Sequence, residues 1–221
     1  MSRSRAVSPA QKDARRARIL AAAASLFDQA DYPAVSMEQV ARAAGVAKGT
    51  VFLYFETKET LFLNLVRDAF KAWFARLDSA LESAPAPLTT LAFTRLVEAS
   101  LRDQPALLRL IPILHPVIEH NVSLESIHAF KRMLLGHLLA SGARIETRLE
   151  YLQPGQGAQL LNRLYALLVG LQNAANPAPL ARQVIEQPGF ELLRVNPLAE
   201  FTAMLNLYLY GLETLYRRTR R

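Results

Sequence analysis

The sequence predicts an all-α fold, with a three-helix module at the N-terminus joined to a larger helical domain, on three observations. Apolar residues recur at spacings of three and four, and alternation with period two is never sustained. Two short helical segments flank Gly45, close enough to leave room only for a tight turn. The last segment, residues 201–216, carries eleven apolar residues among sixteen, spread around the whole helix axis.

Taken in order, Ile19, Ala23, Leu26, Phe27 and Ala30 form the stripe of a first helix, with Arg15, Arg16 and Arg18 near its start; Asp31-Tyr32-Pro33 ends it. Ser36 stands three residues before Gln39, the capping-box spacing, and opens a short helix whose inner side is Val40, Ala41 and Ala44. Gly45 supplies the positive φ of an abrupt stop. A further short helix over 47–54 turns Val46 and Val51 inward and closes on Phe55, and Thr57 caps a long helix from Lys58 to about Ser83. Pro85 and Pro87 break the pattern. Beyond them, helices are predicted over 88–101, 105–114, 124–141, 157–175 and 197–219, with connectors rich in Pro, Gly and Asn. The predicted domains are 1–57 and 58–221.

Composition removes several classes of function. The chain has 221 residues, 51% of them hydrophobic, ample for a packed core. It has no cysteine, which excludes disulfides, thiolate metal sites and a cysteine nucleophile, and which suits the cytoplasm. Arg3 and Arg5 are followed by the charged stretch 11–18, so no secretory signal is expected. Residues 201–216 are too short for a membrane span and are interrupted by Thr202, Asn206, Glu213 and Thr214. No cofactor is expected. The net charge of +7 is concentrated at the ends: Arg3, Arg5, Lys12, Arg15, Arg16 and Arg18 face Asp13 alone in residues 1–25, and Arg217, Arg218, Arg220 and Arg221 form a second cluster. A basic N-terminal arm of this kind attracts phosphate whatever the base sequence.

Two short helices around a glycine turn, with a third packed across them, are the sequence image of a helix-turn-helix. The second of the pair fits the major groove, where base edges present distinguishable donors and acceptors. Lys48, Gly49 and Thr50 give its start the small, polar surface this requires. From Ile19 to Leu61 the residues resemble the tetracycline-repressor-like (TetR) regulators: Ile19-Leu20, Ala22-Ala23 and Leu26-Phe27, then Ser36 to Ala41, then Ala44 to Phe55, then Lys58-Glu59 and Leu61. The resemblance implies a repressor that binds a palindromic operator in double-stranded DNA as a homodimer and is released by a small-molecule effector. It further implies that Lys48, Gly49 and Thr50 start the recognition helix, that Tyr54 and Lys58 touch phosphates, and that Ser36 and Met37 lie close to the backbone; Arg15 belongs to the basic approach. Two positions depart from the family pattern. Phe52 lacks the hydroxyl of the tyrosine common there, and Asp31, a residue tolerant of the left-handed region, replaces a glycine.

A helix apolar all round must be covered all round. Phe201, Leu205, Tyr208, Leu212 and Leu215 are expected to pack on their own domain. Met204, Leu207 and Gly211, with Ala166 and Gly170 of the preceding helix, are expected to meet a second copy in a two-fold four-helix interface. Phe70, Trp73, Phe93, His115 and His128 are the candidates for lining an effector pocket, and the apolar content around them favours an apolar effector. An enzyme is not expected. His115 and His120 are five apart with Pro116 between them, unlike the four-residue spacing of zinc proteases, and neither a Gly-x-Ser-x-Gly elbow nor a phosphate-binding glycine loop occurs. The rival reading is a basic helical DNA-binding protein with no small-molecule ligand, and the volume of any C-terminal cavity discriminates the two.

Overall fold

The computed structural model describes residues 8–219, in which all regular structure is helical. Arg3, Arg5, Arg220 and Arg221 of the two basic ends lie outside the described residues. No helix among the described residues is long and apolar enough to cross a membrane. The chain forms two compact units, one reaching to Arg67 and including Leu114–Ile127, the other comprising Asp68–Ile113 and the chain from His128 onward.

The first unit begins with α1 (Pro9–Gln29). Lys12, Arg15, Arg16 and Arg18 of the expected basic arm therefore lie on a helix. Ser8 caps the amide of Gln11, the Gln11 side chain reaches back to Ser8, and Pro9 occupies the first helical position, where its missing N–H costs nothing. Ile19, Leu20, Ala23 and Phe27 are its buried face. The helix stops at Ala30 and Asp31 in extended backbone, φ −148° and −76°, so the left-handed conformation anticipated at Asp31 is not used. A single 3-10 turn, Tyr32–Ala34, leads to α2 (Met37–Ala43), which opens on the predicted Ser36–Gln39 capping box. Gly45 takes φ +62° and starts the turn into α3 (Lys48–Tyr54), whose core residue is the fully buried Val51. The next helix, α4 (Lys58–Ser83), starts from a Thr57 side chain that accepts the amide of Thr60. The predicted boundary at 57/58 cuts this unit short, because Phe62 of α4 stands edge-on to Phe27 at 5.3 Å and to Tyr32 at 4.8 Å, while Arg16 donates to Asn64.

The second unit contains the remainder of α4, α5 (Thr90–Arg102), α6 (Pro105–Ile113), most of α7 (Leu124–Glu146), α8 (Gln156–Ala175), α9 (Pro179–Ile185) and α10 (Pro197–Thr219). Of these only α9 was not expected. Phe74, Leu77 and Leu81 of α4, Phe93 and Leu101 of α5, Leu160 and Leu161 of α8 and Phe201 and Leu205 of α10 are almost completely buried. The α7 and α8 backbones touch at Gly142 and Gly157, where any side chain would collide with main-chain atoms. On α10 the inner face is Phe201, Leu205 and Leu209, a series four apart, whereas Leu215 is 61% exposed. Of the expected set, Phe201 and Leu205 are buried, Tyr208 and Leu212 are half-buried and only Leu215 faces outward, while Leu209, not in that set, is completely buried. On a helix apolar all round the sequence leaves the choice of inner face open.

Candidate nucleic-acid interface

The first unit holds α3 by its apolar side. Val51 is completely buried, Phe55 is 1% exposed, and Val40, Ala41 and Ala44 of the preceding helix and turn are also buried. The other side of α3 is left open: Lys48 and Gly49 are exposed, and Thr50 and Tyr54 are half-buried. The Lys48 ammonium lies 3.8 Å from a Glu38 carboxylate oxygen, and Arg42 reaches the same carboxylate at 3.5 Å. Ion pairs this exposed contribute little, so Lys48 can turn to a phosphate or a base edge at small cost. Arg15 is half-buried on α1.

Three of the residues expected at the DNA backbone, Met37, Ser36 and Lys58, are engaged within the chain. Met37 is 9% exposed and belongs to the apolar core, as an unbranched thioether should. The Ser36 hydroxyl donates to the Gln39 side chain and accepts the Gln39 amide, so its only proton is already engaged in the helix cap. Lys58 extends back over the Tyr32 ring, 3.9 Å from its centroid, and donates to the Tyr32 carbonyl. Burial pulls its pKa below the ordinary lysine value, against the opposing pull of the Glu59 carboxylate. Tyr32 is the residue missed from sequence. Its hydroxyl donates to Glu59 at 2.7 Å, and burial first, then that carboxylate, raise its pKa well above the usual phenol range. Tyr32 thus fastens the turn after α1 to the start of α4. Removing the Lys58 head group by Lys58→Met is expected to lower the thermal midpoint measurably, since a partly desolvated cation–π contact is worth about 0.5–2 kcal/mol; an unchanged midpoint would leave Lys58 no structural part.

In the second unit an apolar cavity of about 20 Å³ is lined by Phe70, Trp73, Leu101, Tyr165, Leu168 and Phe201 among others. Two of the five anticipated lining residues, Phe70 and Trp73, are there. Phe93 is completely buried on α5 outside the lining. His115 and His128 are exposed, which removes them from it. His115 falls where Pro112 inside α6 gives way to one wider π-type turn, and its Nδ1 meets the Glu119 carboxylate at 2.9 Å. The indole N–H of Trp73 donates to the buried Ser100 hydroxyl at 3.1 Å. Among the described residues no group of three or more acidic or histidine side chains could hold a metal ion. Ala166 and Gly170 of α8, and Met204, Leu207 and Gly211 of α10, are all exposed, Leu207 to 74%.

A pair of short helices joined by a glycine turn, the second with one bare face, in a chain otherwise built of helices, defines the class of helix-turn-helix DNA-binding regulators. The chain belongs to the TetR family of transcriptional regulators: residues 19–65 match the bacterial regulatory proteins of the tetR family, and residues 67–215 match the tetracyclin repressor-like C-terminal domain. Members of this family are transcriptional regulators and not enzymes. Over 109 residues the chain is 37% identical to the HTH-type transcriptional regulator RutR of Escherichia coli strain K12, a match spanning 49% of each protein. Over 83 residues it is 30% identical to the HTH-type transcriptional repressor KstR2 of Mycolicibacterium smegmatis, covering 38% of this chain and 40% of that one. The chain thus spans about half the length, or less, of these relatives. A crystal structure of a TetR-family regulator from Pectobacterium atrosepticum superposes with a TM-score of 0.59 at 18% identity, over 93% of this chain and 97% of that one, which is a likeness of fold.

Proposed function

We propose that this regulator is a homodimeric repressor that reads a palindromic operator through the outward side of α3 and leaves it when a small apolar effector enters the second unit. The observation that carries the DNA reading is the division of α3 into a buried side, Val51 and Phe55, and an open side beginning at Lys48 and Gly49. Base contacts specify and phosphate contacts position, so the two kinds of residue are separable by experiment. Duplexes selected from a random library by Lys48→Ala or Thr50→Ala are expected to differ in sequence from those selected by the wild type. An unaltered preference in both variants would remove α3 from the reading role. Lys58 keeps two ammonium donors beyond the one given to Tyr32, and Tyr54 keeps a phenol at the edge of the same side. Lys58→Ala is expected to weaken all duplexes alike and to lower the salt slope by about one unit. A regulator of this kind acts where the DNA is, in the cytoplasm.

The homodimer is supported by the open, apolar face that α8 and α10 share. Beyond the backbone of its own helix, neither Gly170 nor Gly211 has an atom within 4 Å of where a Cβ would stand, so no packing among the described residues asks for glycine there. Close approach of a second copy does.

The effector reading rests on the lining of the cavity, and the size of the cavity favours its rival. Small-molecule sites occupy roughly 300–1,000 Å³, whereas this void of about 20 Å³ holds little more than a water. An effector that enters between Phe70, Trp73 and Phe201 must therefore widen this void. The chain has a single tryptophan, Trp73, and it lies in the lining, so its fluorescence reports on the cavity directly. Titration with flat or chain-like apolar compounds is expected to give a saturable change in Trp73 emission with ligands that also weaken duplex binding. By linkage the duplex complex must bind those ligands more weakly by the same factor, typically about 1–3 kcal/mol. A flat titration across chemically varied compounds would leave the DNA-binding protein without a small-molecule ligand as the better reading.

A further inference from the structure

The strip of α3 that points directly away from the core is not polar. Counting about 100° per residue from Val51 and Phe55, the position opposite the buried pair is residue 53, and residue 49 lies one turn before it on the same strip. Residue 53 is leucine, 84% exposed. Residue 49 is glycine, and a Cβ there would meet nothing within 4 Å. Its backbone is not among the positive-φ glycines, so neither crowding nor conformation within the chain calls for glycine. A glycine in a helix weakens it relative to alanine, and an aliphatic side chain facing water adds nothing to the fold.

Both features are accounted for together by a surface that closes over this strip: the missing Cβ lets it approach the helix backbone, and the leucine methyls meet an apolar point on it. On the base edges of the major groove that apolar point is the 5-methyl group of thymine. We infer that Leu53 reads thymine through its 5-methyl group, and that Gly49 leaves the clearance that brings α3 deep enough for the contact. The inference rests on the proposal above that α3 enters the major groove, and it adds an apolar determinant to the polar ones at Lys48 and Thr50. Phe52, 41% exposed beside this strip, is placed to shield the contact from water.

The test uses the full chain and duplexes that the wild type selects from a randomised library. Each thymine of the selected half-site is replaced in turn by deoxyuridine, which removes the methyl and leaves every hydrogen-bonding group in place. At one or two positions per half-site the wild type is expected to bind the uracil duplex about four-fold more weakly, the ratio that goes with burying one methylene-sized group. Leu53→Ala, at an exposed site, is expected to keep the wild-type melting temperature and to bind thymine and uracil duplexes alike. Gly49→Leu is expected to melt no lower than wild type while losing at least about ten-fold in affinity, because the new side chain occupies the clearance. Indifference of the wild type to every uracil substitution would overturn the inference and leave the α3 reading intact. Discrimination that persists in Leu53→Ala would assign the methyl to another residue and overturn it as well. If the wild type selects no duplex at all, the inference falls together with the proposal on which it rests.

Discussion

Gly157→Ala is expected to destabilise the second unit by about 3 kcal/mol or more, the upper end of the cost of forcing extra atoms into a packed site. The added methyl would stand 2.1 Å from the Gly142 carbonyl oxygen and 2.7 Å from its carbon. These are backbone atoms, so no flexible side chain can swing away. The only relief is to separate α7 from α8, and that also breaks the 2.7 Å bond from the Gly157 amide to the Glu146 carboxylate. Gly142→Ala meets the same obstruction from the other helix, 2.4 Å from the Ala158 nitrogen. Gly136 supplies the control on α7, since a Cβ there meets nothing within 4 Å. Gly136→Ala is expected to leave stability unchanged or to raise it by about 0.5–1 kcal/mol. Urea denaturation of the three variants measures the contrast. A Gly157→Ala midpoint equal to that of wild type would mean that the helices do not cross in backbone contact.

The other large effect is expected from Leu207→Glu, which should convert a dimer into monomers. Leu207 is 74% exposed in the isolated chain, so a carboxylate there costs the protomer's own fold almost nothing. Against a second copy the same carboxylate is buried without a partner, at several kcal/mol for each of its two symmetric occurrences. Gly211→Arg acts in the same way from one turn further along α10, where nothing beyond that helix's own backbone lies within 4 Å of the added Cβ. Sedimentation velocity with circular dichroism separates loss of association from loss of fold. Folded monomers are the expected result, and with them a large loss of affinity for two-fold duplexes, because a monomer engages only one of two half-sites set about 34 Å apart. Folded dimers of wild-type affinity in both variants would place the interface elsewhere.

The DNA-binding module was legible in the sequence because its determinants are local. The Ser36–Gln39 box and the positive φ of Gly45 involve residues within a few positions of one another, and the structure has both. The start of α1 was equally local, since Ser8, Pro9 and Gln11 form a second capping box, but it lies a few turns ahead of the apolar stripe from Ile19 that marks this helix in the sequence. The exposed strip of Gly49 and Leu53 follows from helical periodicity once Val51 and Phe55 are fixed as core.

Helical periodicity determined, from the sequence alone, that this chain is all-α and that residues 201–216 need more cover than one neighbour gives, and the turn at Gly45 between two short helices marked a helix-turn-helix, which the residues from Ile19 to Leu61 made similar to that of the TetR regulators. Tertiary structure alone decided which apolar face of α10 turns inward, that Lys58 folds back over Tyr32, that His115 and His128 look outward, and that α7 and α8 touch through two glycines fifteen residues apart. The physical reason is the same in each case. A side chain's position around its own helix follows from a fixed turn per residue, but what it meets there depends on where other helices lie, and those positions are set by packing among residues far apart in the chain.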